Sequence, residues 1–118
     1  MRELRVAELL SARLAYPGER IVTKGERGRA MYFIATGEAD VMLPHQPIRL
    51  DTGDFFGEMA LLHRQPRIAD VVARGYCNLL VLERRDFQRL LSSSRELRRE
   101  IEKIAEARKE TADGQAGS

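Results

Sequence analysis

Phe55-Phe56-Gly57-Glu58-Met59-Ala60-Leu61-Leu62, then His63-Arg64-Gln65, then Pro66-Arg67-Ile68-Ala69-Asp70, is the stretch that interrupts an otherwise strand-rich chain. From Arg20 to Glu83, short runs rich in Val, Ile, Tyr, Phe and Leu are cut by Gly25, Gly28, Gly37, Gly53, Gly57 and Gly75, the rhythm of many short strands. Inside the interruption, Glu-Met-Ala-Leu-Leu reads as a helical turn entered through a glycine. Such a glycine lets the backbone come close to a ligand, and the free amides of the turn carry partial positive charge suited to an anion such as phosphate. Arg67 starts a strand after a proline that lacks an amide hydrogen, so its guanidinium can return toward the same turn and grip two oxygens. Glu58 beside that anion would repel it unless it faces a donor, and a sugar hydroxyl is such a donor. Phosphate and sugar together point to a nucleotide.

Outward from this segment, runs at 30–35 and 38–43 flank Gly37 closely enough for a hairpin, and Ala39, Val41 and Leu43 alternate with Glu38, Asp40 and Met42. Pro44-His45-Gln46-Pro47 is a turn, and strand-like runs follow at 48–50, 67–73 and 76–82, the spacing of a jelly roll or small barrel. Upstream, Leu4, Ala7 or Glu8, Leu9 and Leu10 fall at helical spacing ahead of Pro17-Gly18, which predicts an N-terminal helix over residues 1–14. After Glu83 the period is helical again, and residues 84–111 read as two helices, the second opened by Ser93 and Glu96 in a capping-box pattern. Leu97, Ile101, Ile104, Ala105 and Arg108 share one stripe of that last helix, which wants a partner surface. Residues 112–118 are small and polar and are expected to form a disordered tail. The β-roll would then span residues 15–83, with the ligand segment at 55–70.

With 118 residues, 20 Lys+Arg and 18 Asp+Glu, the chain has the size and charge balance of one domain. Its 43% hydrophobic and 32% charged residues supply one core and exclude a disordered chain. No run approaches the roughly 18 to 20 consecutive apolar residues of a membrane span, and the first residues lack the zones of a signal peptide, so a soluble, cytoplasmic chain is expected. The lone Cys77, in an apolar run and unable to form an internal disulfide, agrees with a reducing compartment. Interspersed charge and only 6% aromatics give neither a basic stripe nor a stacking platform, so no nucleic-acid partner is expected. His45 and His63 stand far apart with no second ligand at metal spacing and read as loop residues. Hydrolysis of a nucleotide would need a metal or a nucleophile with its base, and neither is legible, so binding without catalysis is expected.

Taken alone, Gly57-Glu58 is ordinary backbone punctuation, and Arg67 alone reads as a surface arginine. The spaced set of Gly57, Glu58, Ala60, Leu61, Pro66, Arg67 and Ala69 is more specific. It resembles the phosphate-binding cassette of the cyclic nucleotide-binding domains, which reads Phe-Gly-Glu, an apolar residue, Ala-Leu, a short loop, Pro-Arg and, one residue on, Ala. The resemblance extends to Pro17-Gly18-Glu19, Gly25 and Gly28, Met31-Tyr32-Phe33-Ile34 with Gly37, Gly53-Asp54-Phe55, and Asp86-Phe87. Together with Gln88, the triple serine 92–94 and a last helix ending near the C-terminus, these features look most like the C-terminal sensor of a bacterial cyclic-nucleotide-regulated potassium channel.

That resemblance implies an α+β fold, an eight-stranded antiparallel β-roll or jelly roll with an N-terminal helix and two C-terminal helices. It implies cyclic AMP as the regulatory ligand, with no cofactor and no metal, contacted by Gly57, Glu58, Met59, Ala60, Arg67, Ile68, Ala69 and Arg108. Ile101, Ile104 and Arg108 would form the lid; the channel sensors place an arginine against the purine, where Arg108 stands. Ile68 departs from the Ala, Ser or Thr common in the family, and a hydroxyl there accompanies cGMP preference, so cGMP is expected to bind more weakly. Asp70 replaces the usual Thr or Ser, on the face opposite Arg67 and Ala69, and is expected to point outward. The effector would be an ion-channel gate, with the membrane reached only through a covalently attached channel domain and a homo-oligomeric parent in keeping with it. Alternatives stay open: a sensor of a transcription factor or kinase-type regulator, a metal-dependent barrel enzyme that lacks here its His and Glu cluster, or a degenerate assembly domain that binds nothing. The last helix either joins the core or covers the ligand, and Arg108 either stacks on the purine or is exposed near a fraying end.

Overall fold

The computed structural model describes residues 9–116, with only the backbone described for Ala105 and residues 109–116. Eight strands form two four-stranded antiparallel sheets: β1 (Leu10–Ala15), β8 (Cys77–Glu83), β3 (Ala30–Thr36) and β6 (Phe55–Phe56) in one, and β2 (Arg20–Val22), β7 (Asp70–Ala73), β4 (Ala39–Met42) and β5 (Ile48–Leu50) in the other. A short helix α1 (Glu58–Leu62) sits between β6 and β7, and α2 (Arg84–Ser93) and α3 (Arg95–Ala116) follow the roll. This is the α+β roll expected above. Inward residues alternate with outward ones along β3, as a two-residue period requires: Ala30, Tyr32 and Ile34 of β3 and Leu79 of β8 meet Ala39 of β4 and Val71 of β7 in the roll's interior. A second core forms on the outer face of β3 and β8, where Met31 and Leu82 meet Leu61 of α1, Phe87 and Leu90 of α2, and Ile101 of α3.

Four expectations need correction. Leu9 is helical, but residues 10–14 are strand, because the long β8 edge offers the segment 10–15 six paired positions. Tertiary pairing outweighs local propensity there. The part of the proposed N-terminal helix over residues 1–8 lies outside the described residues. The runs around Gly37 do not pair as a hairpin, because β3 pairs with β8 and β6 while β4 pairs with β7 and β5. Gly37, at φ 117°, carries the chain from one sheet to the other against Cys77, whose Sγ would lie 2.8 Å from an added Cβ. The serine that opens the last helix is Ser94, whose Oγ accepts the Leu97 amide (3.2 Å), while the Ser93 hydroxyl turns back to the Leu90 carbonyl (2.9 Å). Finally, residues 112–116 continue α3 instead of forming a tail, since extending a helix already nucleated costs little and one Gly does not end it. Gly117 and Ser118 lie outside the described residues.

Candidate functional site

Arg67 is fixed first through its backbone. Its amide donates to the Glu26 carbonyl and its carbonyl accepts the Gly25 amide, both at 2.8 Å, so the strand expected from residue 67 begins as a pairing with the 25–27 loop and becomes β7 only at Asp70. Alternation then sends Arg67 and Ala69 inward, 8% and 5% exposed, and Asp70 outward, where it accepts the Lys24 amide (2.7 Å) and faces Arg20 (3.6 Å). The guanidinium donates through Nη1 to the Gly57 carbonyl (2.9 Å) and through Nη2 to the Ala30 carbonyl (2.6 Å). These partners supply acceptors but no charge. Burial holds the Arg67 pKa below the usual guanidinium range, against the fields of Tyr32, Glu58 and Glu26, which raise it. Gly57 has a left-handed backbone, φ 92°, and a Cβ there would stand 2.6 Å from Arg67 Nη1 and 3.1 Å from the Ala30 oxygen. Only glycine fits both conditions.

Glu58, the first residue of α1, is 1% exposed. A carboxylate buried this far requires a cation or several donors. It accepts Arg108 Nη1 at 2.9 Å, and the Arg108 guanidinium also lies over the Phe55 ring, 4.8 Å from its centroid. Arg108 is therefore not free at a helix end: it joins α3 to α1.

Beneath it lies a cavity of about 320 Å³ lined by Gly57, Glu58, Met59, Ala60, Arg67, Ile68, Ala69 and Arg108, all eight residues expected to contact ligand. Ile104 lines it too, 38% exposed, and so does Ile68, 39% exposed. Ile101 does not. It is 4% exposed in the core with Phe87 and Leu90, so its place as a lid residue is corrected to that of an anchor for the base of α3. Sequence reasoning missed the apolar wall formed by Val41, Leu43, Ile48 and Leu50, and Ala107 beside Arg108. The alternation of Val41 and Leu43 was the available signal, but it marks an inward face without telling core from cavity. Among the described residues, no group of three or more His, Cys, Asp or Glu is placed to hold a metal ion.

Residues 13–94 match the family model of the cyclic nucleotide-binding domain. A cyclic nucleotide-gated potassium channel of Rhizobium etli is 42% identical over 102 residues, which cover 86% of this chain and 29% of the channel. The chain thus spans under a third of the length of the curated channels it matches. Among solved structures, the regulatory domain of Toxoplasma gondii PKA with cAMP is 37% identical, with a TM-score of 0.70 over 80% of this chain and 39% of that one. The Thermus thermophilus catabolite activator protein is 28% identical, with a TM-score of 0.81 over 93% of this chain and 55% of that one.

Proposed function

Because this chain belongs to the cyclic nucleotide-binding domain family, we propose that it binds cyclic AMP between the 55–70 segment and α3, does not transform it, and passes the resulting movement of α3 to an attached effector. The observation that carries this reading is Arg67, a buried guanidinium hydrogen-bonded to carbonyls alone, on a cavity whose other charged lining is the Glu58–Arg108 pair. A buried cation without a bonded counter-charge favours an anion, and the apolar wall favours a flat hydrophobic body attached to it. The cyclic phosphate belongs at Arg67, the ribose 2′-hydroxyl at Glu58, and the purine against the wall of Val41, Leu43 and Ile48 near Ile68.

Arrival of the hydroxyl at Glu58 adds a second donor to the carboxylate that holds Arg108, and Arg108 is the polar tie between α3 and α1. A ligand that binds one position of α3 better than another shifts the population between them, by no more than its difference in affinity for the two. No cofactor is required for that role. The Rhizobium etli channel makes an ion-channel gate the first candidate effector; the kinase-type relative keeps a kinase regulator as the second. No described helix is long and apolar enough to cross a membrane. On the reading proposed here the sensor lies on the cytoplasmic side, attached covalently to the channel domain of a homo-oligomeric parent.

Replacing Arg67 by Ala should weaken cyclic AMP binding by roughly 2 to 5 kcal/mol in a calorimetric titration, because the phosphate would lose its charged partner in a dry site. Lysine should restore only part, since an ammonium cannot make the two-pronged contact. Wild-type affinity in the alanine variant would overturn the assignment.

A further inference from the structure

The loop that joins β2 to β3 holds Arg67 on several sides. Gly25 and Glu26 take both of its backbone groups, Arg27 bridges Pro66, and the carbonyl of Ala30, where β3 begins, accepts Nη2. Between these contacts sits Gly28, which is buried and does not line the cavity. A Cβ at Gly28 would collide with the Ala60 Cβ and stand 3.0 Å from Arg67 Cζ and 3.2 Å from Nε. The backbone at Gly28 does not have a positive φ, unlike Gly18, Gly25, Gly37, Gly53 and Gly57. Its glycine is therefore there for space and not for a left-handed turn.

We infer that Gly28 is a positioning residue for anion binding: by lying against the guanidinium without a side chain, it lets the 25–28 loop clamp Arg67 in its gripping orientation before any ligand arrives. The clamp spans two directions that the cavity residues leave open. Gly57 and Ala30 fix the Nη atoms, the loop fixes the backbone, and Gly28 closes on Cζ and Nε, so swinging the guanidinium toward the loop is sterically blocked. A donor held this way needs no reordering when an anion binds, which lowers the cost of binding. The inference rests on the anion reading of the cavity and adds to it a residue that would touch no ligand.

Gly28→Ala is the direct test, with Gly53→Ala as its control. Gly53 has φ 92° and open space around its Cβ position, so alanine there strains the backbone without touching Arg67. Gly28→Ala should raise the cyclic AMP dissociation constant at least about tenfold, the cost of a misaligned hydrogen bond to a charged group. Gly53→Ala should lower the melting temperature yet leave the dissociation constant within about twofold. Wild-type affinity in Gly28→Ala, or an equal loss in both variants, would overturn the inference. Should Gly28→Ala not fold, NMR of the unmodified, ligand-free chain decides: the Gly25 and Arg67 amides and the Arg67 Nη hydrogens should be protected from exchange, and unprotected rates would overturn the clamp. Failure of the unmodified chain to bind cyclic AMP would count against the ligand instead, because the exchange measurement contains none.

Discussion

Glu58 and Arg108 are 50 residues apart in sequence and 2.9 Å apart in space, and the carboxylate is all but sealed from solvent. Removing Arg108 from this pair costs more than the pair contributes, because Glu58 is left charged and dry, whereas Arg108 keeps some contact with solvent. A carboxylate has acceptor positions enough for both Arg108 and a ribose hydroxyl, so the ion pair need not be lost when a nucleotide binds. The 2′-deoxy analogue should therefore bind the unmodified chain about 1.5 to 3 kcal/mol more weakly than cyclic AMP, the worth of a hydrogen bond to a charged group. Glu58→Ala should bind the two alike, and full discrimination by that variant would assign the hydroxyl to another residue. The need of Glu58 for a donor was legible from its place beside a glycine-led helical turn and an arginine nine residues on. Its pairing with Arg108 was not, because the distance between two side chains on separate helices is set by the fold and not by spacing along the chain. Gly28 was visible as punctuation and as part of the family resemblance; its packing on Arg67 requires the loop and the 66–67 segment to be side by side.

Helix α3 is held at two points of different chemistry. Near its start, Leu97 and Ile101 pack with Phe87 and Leu90 of α2, and Ser94 caps the first turn; two turns further on, Arg108 reaches Glu58 and Phe55. Ile104 lies between them at the cavity, half out in solvent. Ending the chain before Ile104 should leave the anchored base of the helix and the Arg67 contacts intact while removing the cover, so cyclic AMP should leave at least about tenfold faster, since losses of contact act mostly on the off-rate. Stopped-flow dissociation at the unmodified rate would show that α3 does not cover the ligand. The helical period after Glu83 made both helices legible, including the stripe that carries Arg108. The same kind of reasoning overran at β1, where the helical spacing was carried past Leu9 through residues 10–14, and failed at Gly37, where closeness suggested a hairpin. In both places the deciding partner, β8 for the first and β7 with β8 for the second, lies more than thirty residues away, beyond what a local period can report.

The described residues form two cores joined by the ligand segment. Phe56 belongs to the core inside the roll, while Leu61, five residues on, belongs to the one under the helices with Met31 and Ile101. Any load on α1 is thus shared between the roll and α3, and a ligand that bridges Arg67, Glu58 and the apolar wall should stabilise both cores as one cooperative unit. At about 100 times its dissociation constant a ligand adds about 2.7 kcal/mol to native stability, which in a domain of this size raises the melting temperature by roughly 10 °C. Cyclic AMP should produce that shift in a single transition seen alike by far-ultraviolet circular dichroism and by the tyrosine signal of Tyr16, Tyr32 and Tyr76, all between β1 and β8 along the chain. Two separate transitions would mean that the cores melt independently and that α3 does not feel the site. Cyclic GMP at the same concentration should give a smaller shift, since Ile68 offers its base no hydroxyl at the cavity rim and the guanine edge would be dehydrated without a partner. Equal shifts for the two would place selectivity away from Ile68, and a shift that survives Arg67→Ala would show that the anion is held elsewhere.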